Sequence, residues 1–203
     1  MNRIVMCFVV GGWLISPVLA QEETLFSGKI ESGGYGGPTV KVGSFHGKSS
    51  LLMGGQGGWI INHHVVIGGG GYGLVTDVPV ERAGVDKDQY LNLGYGGLLL
   101  EYVVNPNELL HVELQSLIGA GGVSFRDEKF SEMDGRDEER HNLEDDSFFV
   151  WEPGVNVVLN ITKNFRFALG GTYRYVNGVS LSGTSEEELA HYTVQVGCKF
   201  GKF

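Results

Sequence analysis

The chain has 203 residues and a formal net charge of −9, a length that suits one domain or at most two small ones. Glycine accounts for 33 residues and proline for 5, with 42% hydrophobic and 11% aromatic content. Glycine is at roughly twice its usual share, but no G-X-Y period marks a collagen, the apolar content excludes a disordered chain, and the acidic balance argues against nucleic acid as a partner.

Residues 1–20 read as a secretory signal peptide. Arg3 is a short basic start, Ile4 to Ile15 form an apolar stretch, and Val18-Leu19-Ala20 gives a small-residue end before Gln21-Glu22-Glu23. The apolar run is shorter than the ~18 residues of a spanning helix. Cys7 lies inside this leader, so cleavage after Ala20 leaves Cys198 alone and excludes an intrachain disulfide. No later segment is long and apolar enough for a spanning helix. A soluble exported protein and a membrane β-barrel over residues 21–203 remain.

Strand patterns then dominate. Four early runs, near Ile30–Val42, Lys48–Ile61, Val65–Val78 and Tyr90–Val104, are blurred by glycine. From Leu110 the alternation sharpens, with Leu110, Val112, Leu114, Ser116, Ile118 and Ala120 opposing His111, Glu113, Gln115 and Leu117. Phe149, Trp151, Val155, Val157, Leu159 and Ile161 share one face against Phe148, Glu152, Gly154, Asn156 and Asn160. Phe165, Phe167, Leu169, Gly171, Tyr173 and Tyr175 alternate with Arg166, Ala168, Gly170, Thr172 and Arg174, and Tyr192 to Phe200 repeats the pattern against Thr193, Gln195 and Lys199. That makes eight strands of period two.

The connections alternate in length. Short ones fall at Asn62–His64, Asn105–Glu108 and Lys163–Asn164; longer ones fall at Pro79–Gln89, Asp127–Ser147 and Ser180–Leu189. The link near Ser44–Gly47 is the exception, short where a long one is expected. The pattern predicts an all-β fold, a closed antiparallel eight-stranded transmembrane β-barrel. Aromatic placement separates it from a soluble ligand-binding barrel of the lipocalin type. Trp151, Tyr173, Tyr175 and Tyr192 fall toward one end of the apolar face, and Trp59, Phe165, Phe167 and Phe200 toward the other, as two membrane interfaces require.

The export signal, the eight runs, glycine-rich strands such as Gly54-Gly55-Gln56-Gly57-Gly58-Trp59 and Gly68–Gly71-Tyr72-Gly73, and a last strand ending in Phe203 resemble small bacterial outer-membrane β-barrel proteins of the OmpX/OmpA type. The resemblance implies outer-membrane lipid as surroundings and recognition of the C-terminal strand by the outer-membrane assembly machinery through a terminal Phe. Here the alternating apolar series ends at Phe200 and Gly201-Lys202-Phe203 slips the register by one, so both Phe200 and Phe203 are candidates for that signal.

Eight strands enclose only enough room for side chains. The inward face is expected to carry a polar network of Lys41, Gln56, Glu113, Glu152, Arg166, Arg174 and Lys199, joined by Gln115, Asn156, Thr172 and Gln195. Unpaired charge there is costly, so the bases should pair with Glu113 and Glu152 as a plug.

The loop Asp127–Ser147 concentrates acid. Asp127, Glu128, Glu132, Asp134, Asp137, Glu138, Glu139, Glu144, Asp145 and Asp146 face only Lys129, Arg136 and Arg140. A solvated loop is the plain reading; divalent cations or a basic partner are the alternatives. Other motifs carry less. Gly68-x-Gly70-x-x-Gly73 lies within a strand rather than opening a helix, so it is no dinucleotide fingerprint. His63-His64 reads as a turn, and His46, His111, His141 and His191 have no ligand spacing. No cofactor or metal is expected. A lipid A-modifying enzyme is the second rival, but His141, Ser147, Ser180, Ser185 and His191 form no recognisable triad spacing. A non-enzymatic structural or surface-interaction role is the expectation.

Overall fold

The computed structural model describes residues 30–45, 48–80, 89–126, 145–179 and 186–203. The leader at 1–20, the eight acids from Asp127 to Glu144, and His46, His141, Ser180 and Ser185 lie outside the described residues.

The strands are β1 (Ser32–Phe45), β2 (Lys48–Ile61), β3 (Val65–Leu74), β4 (Pro79–Val80), β5 (Gln89–Val104), β6 (Leu110–Arg126), β7 (Asp145–Thr162), β8 (Phe165–Tyr173), β9 (Tyr175–Asn177) and β10 (Tyr192–Lys202), with one short helix, α1 (Glu186–Leu189), before β10. β4 adds to the edge of β5, and β9 continues β8 past Arg174. The ten segments therefore make eight staves. Each pairs antiparallel with the next in sequence, and β10 pairs with β1, which closes the barrel. Following the register once around, from Gly34 through Trp59, Ile67, Leu100, Ser116, Pro153, Tyr173 and Tyr192, returns to β1 about ten residues further along, near Ser44. With ~4.8 Å between strands and ~3.3 Å per residue, this stagger tilts the strands by about 40° from the axis.

Tight turns gather at one end, and the short β1–β2 link, between the paired Phe45 and Lys48, is the exception at the other. Asn62 and His63 adopt φ of 51° and 65°, and His64 N–H donates to the Ile61 carbonyl at 3.2 Å. The connection has three residues, 62–64, and the positive φ of Asn62 and His63 gives it the handedness that matches the strand twist. Asn105 (φ 53°) opens the second turn, with Glu108 N–H donating to its carbonyl at 3.0 Å.

Glycine has two roles. On the concave face it permits close approach: a Cβ added at Gly68 would strike the Gly57 carbonyl, and one at Gly97 the Ile118 carbonyl. On the outer face Gly73 has nothing within 4 Å of such a Cβ.

Polarity inverts along the staves. Over most of the wall the outward residues are apolar and the inward ones polar. Toward the loop end the arrangement reverses: Asn92, Ser124, Asp145 and Ser147 face outward, while Leu91, Leu93, Val123, Phe125 and Phe148 are buried inside. Several strands also run further toward that end than the sequence alternation alone implies. Asp145 and Asp146, read from sequence as loop acids, are the first residues of β7, opposite Ser124 and Val123. The last long connection, read as a loop, contains α1.

Candidate functional site: the barrel interior

The inward face of the barrel carries polar and charged side chains. Lys41, Gln56, Glu113, Gln115, Glu152, Asn156, Arg166, Thr172, Arg174, Gln195 and Lys199 are all buried. Period-two geometry places them there: their outward neighbours on the same strands are apolar, so the alternating side must face the lumen.

Two charge clusters lie one above the other. Nearer the turn end, Lys199 Nζ donates to Glu113 Oε2 at 2.5 Å and to Glu101 at 3.0 and 3.2 Å. Tyr35 Oη donates to Glu101 Oε2 at 2.7 Å, and His111 Nε2 lies 3.9 Å from Glu113. Nearer the loop end, Glu152 accepts from Lys41 Nζ, from Arg174 Nε at 3.4 Å and from Tyr95 Oη at 2.6 Å. The two bases are also held by aromatic faces. Lys41 Nζ sits 3.5 Å from the Tyr72 ring centroid, and the Arg174 guanidinium is 4.8 Å from Tyr95 and 4.9 Å from Phe45.

Between the clusters lies an uncharged layer. Gln195 Nε2 donates to Gln115 Oε1 at 2.8 Å and to Asn156 Oδ1 at 2.6 Å, and Asn156 Nδ2 donates to Gln115 Oε1 at 2.7 Å. Gln56 joins the levels, donating to Glu101 at 3.2 Å and accepting from Tyr72 Oη at 2.6 Å.

The pairing differs from the expected one. Sequence assigned two carboxylates to the bases, and Glu101 is the third. Arg166 lies over the Phe203 ring, 3.9 Å from its centroid, at the turn-end mouth. Phe203 also stacks on Tyr35 at 6.2 Å, so the last side chain turns inward while Phe200 faces outward and stacks on Phe165 at 4.8 Å. Glu101 had a legible signal. In Leu98-Leu99-Leu100-Glu101-Tyr102-Val103-Val104 a lone acid cannot face an apolar surround, and it falls in phase with the buried Leu99 and Val103.

Among the described residues, apolar side chains cluster at each end of the barrel. At the loop end a large cluster includes Phe45, Leu74, Leu91, Phe125, Phe148, Val176 and the α1 residue Leu189. Arg174 Nη1 donates to the Leu189 carbonyl at 3.4 Å, tying this cap to the charge cluster beneath it. At the turn end Tyr35, Ile60, Val66 and Val103 pack with Phe203.

Outside, Trp59, Phe165, Phe167 and Phe200 lie near the turn end, on β2, β8 and β10. Trp151, Tyr173, Tyr175 and Tyr192 lie toward the loop end, but only on β7, β8, β9 and β10. The corresponding outward positions on β3, β5 and β6 are Gly73, Gly94, Gly96, Ala120 and Gly122. The loop-end set is therefore one-sided where sequence suggested a full girdle. Among the described residues there is no group of three His, Cys, Asp or Glu placed to hold a metal ion.

No family model matches the sequence, and no curated protein matches it. The fold does match solved structures. Neisserial surface protein A (NspA) aligns with a TM-score of 0.56 at 11% identity, over 87% of this chain and all of that one. The N-terminal β-barrel domain of Pseudomonas aeruginosa OprF aligns with a TM-score of 0.50 at 12% identity, over 84% of this chain and 96% of that one. The chain thus shares the closed eight-stranded barrel fold of small outer-membrane proteins.

Proposed function

We propose that this chain is an integral protein of a bacterial outer membrane, exported by its leader, with a sealed interior and a structural or surface-interaction role rather than a catalytic one. The observation that carries the reading is the arrangement of polarity. Val42, Leu114, Val155 and Val194 are 48–57% exposed on the outer wall while Lys41, Glu152 and Arg174 are fully buried within it. A soluble ligand-binding barrel has the opposite arrangement. The reversal toward the loop end supports the same reading, because staves that rise out of lipid into water must exchange apolar for polar outer faces.

In this reading the aromatic residues mark the two interfaces. The packed layers join the staves and leave no continuous path for a solute. The acidic segment from Asp127 to Asp146 presents negative charge at the surface, to divalent cations or to a basic partner. The C-terminal strand is what the assembly machinery meets. Among the described residues both charge clusters are buried within the wall, which favours the non-enzymatic role. Fractionation tests the proposal. The protein should stay with the membrane through buffer and urea washes and leave with detergent, and the lipid A mass spectrum should not change on expression. Release by buffer alone would refute membrane integration, and a new lipid A mass would refute the absence of catalysis.

A further inference from the structure

The outer wall carries an apolar groove. Its floor follows a single register row across five strands: Leu114 on β6, Val155 on β7, Gly171 on β8, Val194 on β10 and Val42 on β1. Pro153, Tyr173 and Tyr192 wall it on the loop-end side, and its volume is 680 Å³. The low point is Gly171, where a side chain is missing rather than forbidden: an added Cβ would meet only the Thr193 carbonyl oxygen, at 3.7 Å.

We propose that this groove binds one acyl chain of a lipid of the surrounding bilayer; the inference rests on the membrane reading above. Dimensions select the occupant. Adjacent outward rows on a strand are ~7 Å apart, which admits one hydrocarbon chain but not a helix of ~10 Å diameter. Four strand spacings make the groove ~19 Å long, about one extended chain, since the chains of one leaflet span roughly half of a ~30 Å core. Polarity sets the direction. Every side chain of the floor row is apolar or absent, and the exposed hydroxyls of the groove are those of Tyr173 and Tyr192 on its loop-end side, so the floor suits hydrocarbon and carries no charge. Its upper end lies beside Tyr173 and Tyr192, whose rings pack 4.8 Å apart. There amphipathic phenols suit the boundary where a lipid changes from chain to headgroup. Its lower end lies between Leu114 and Val155, in the aliphatic band. A lipid entering by its tail would be drawn off the bilayer normal and held across the strands.

The test uses the full mature barrel in phosphatidylethanolamine vesicles containing a phosphatidylethanolamine with a diazirine in one acyl chain. After irradiation, peptides covering 153–155, 171–173 and 192–194 should carry several-fold more label than the outward rows of β2, β3 and β5. Gly171→Leu fills the groove on an unstrained backbone and should remove most of that excess. Gly73→Leu, on the opposite wall, should leave it unchanged, and the heat-dependent gel mobility of each variant reports that it folds. Equal labelling of both walls would overturn the proposal, as would an excess that survives Gly171→Leu. A disulfide-linked dimer formed on oxidation of Gly171→Cys, made together with Cys198→Ala, would overturn it in favour of a second copy as occupant. Absence of label on every wall, with the protein recovered in buffer, would overturn the membrane reading instead.

Discussion

Replacing Glu152 with Gln tests whether the buried charge clusters hold the barrel together. Glu152 is fully buried and accepts from Lys41, Arg174 and Tyr95. The amide keeps the shape and one acceptor oxygen but removes the charge that two buried cations share. A unit pair near 4 Å is worth about 4 kcal/mol at the effective dielectric of partly screened sites, and breaking a buried pair by removing one partner costs about 3–5 kcal/mol. The retained hydrogen bonds place Glu152→Gln near the lower figure, at ~3 kcal/mol. Lys41→Met in the same chain restores the net charge of the cluster and should recover about half of that loss, a coupling that a double-mutant cycle reads directly. The assay is urea unfolding in vesicles, followed by tryptophan fluorescence and by gel mobility, with the slope checked so that the midpoint shift reports stability. A single-variant effect under about 1 kcal/mol would refute the reasoning, as would a double variant no more stable than Glu152→Gln, because either would mean that Glu152 is not the shared counter-ion.

Val157→Arg puts a charge on the outward face of β7 in the aliphatic band and should cost roughly 2–4 kcal/mol in the same unfolding assay; folding into bilayers as well as wild type would show that the face is not in lipid. Glycines on the two faces should respond oppositely. Gly68→Ala drives a methyl into the Gly57 carbonyl and should destabilise by about 1–3 kcal/mol. At Gly73 an added Cβ meets nothing within 4 Å, and Gly73→Val should stabilise by ~0.5–1 kcal/mol, since a β-branched residue suits a strand better than glycine. Deleting Glu132–Glu144 should leave membrane insertion intact, because the β6–β7 ladder already reaches Ser124 and Asp145; loss of insertion would place that segment within the wall.

The sequence was most legible where one face met lipid and the other a polar lumen. Below the reversal at Phe148, β7 alternates clearly, as do β8 and β10, and Glu152, Asn156, Arg166, Thr172, Gln195 and Lys199, read from them as inward, are buried. It was least legible on β3 and β5, where glycines on both faces erase the period. Glu101 was missed there, although its neighbours fix its side. The loop-end cap was missed for a different reason. Beyond the lipid the polarity of the two faces exchanges, so inward Leu91, Leu93 and Phe125 break the alternation that identifies the lower wall. The one-sided aromatic set could not be read from chain order, because which strands share a wall becomes apparent only once the ~40° tilt carries the register around the barrel. The inward turn of Phe203 follows from the slip at Gly201-Lys202-Phe203, which moves the last side chain to the lumen side and leaves Phe200 as the outward aromatic of β10.

The most direct test of a closed barrel whose apolar wall faces lipid is the gel mobility of the detergent-extracted protein with and without boiling. A barrel closed by eight antiparallel strand pairings should stay folded in the detergent and change mobility only after heating, and it should be found in the membrane fraction. Protein free in the periplasm, with the same mobility before and after boiling, would contradict the account.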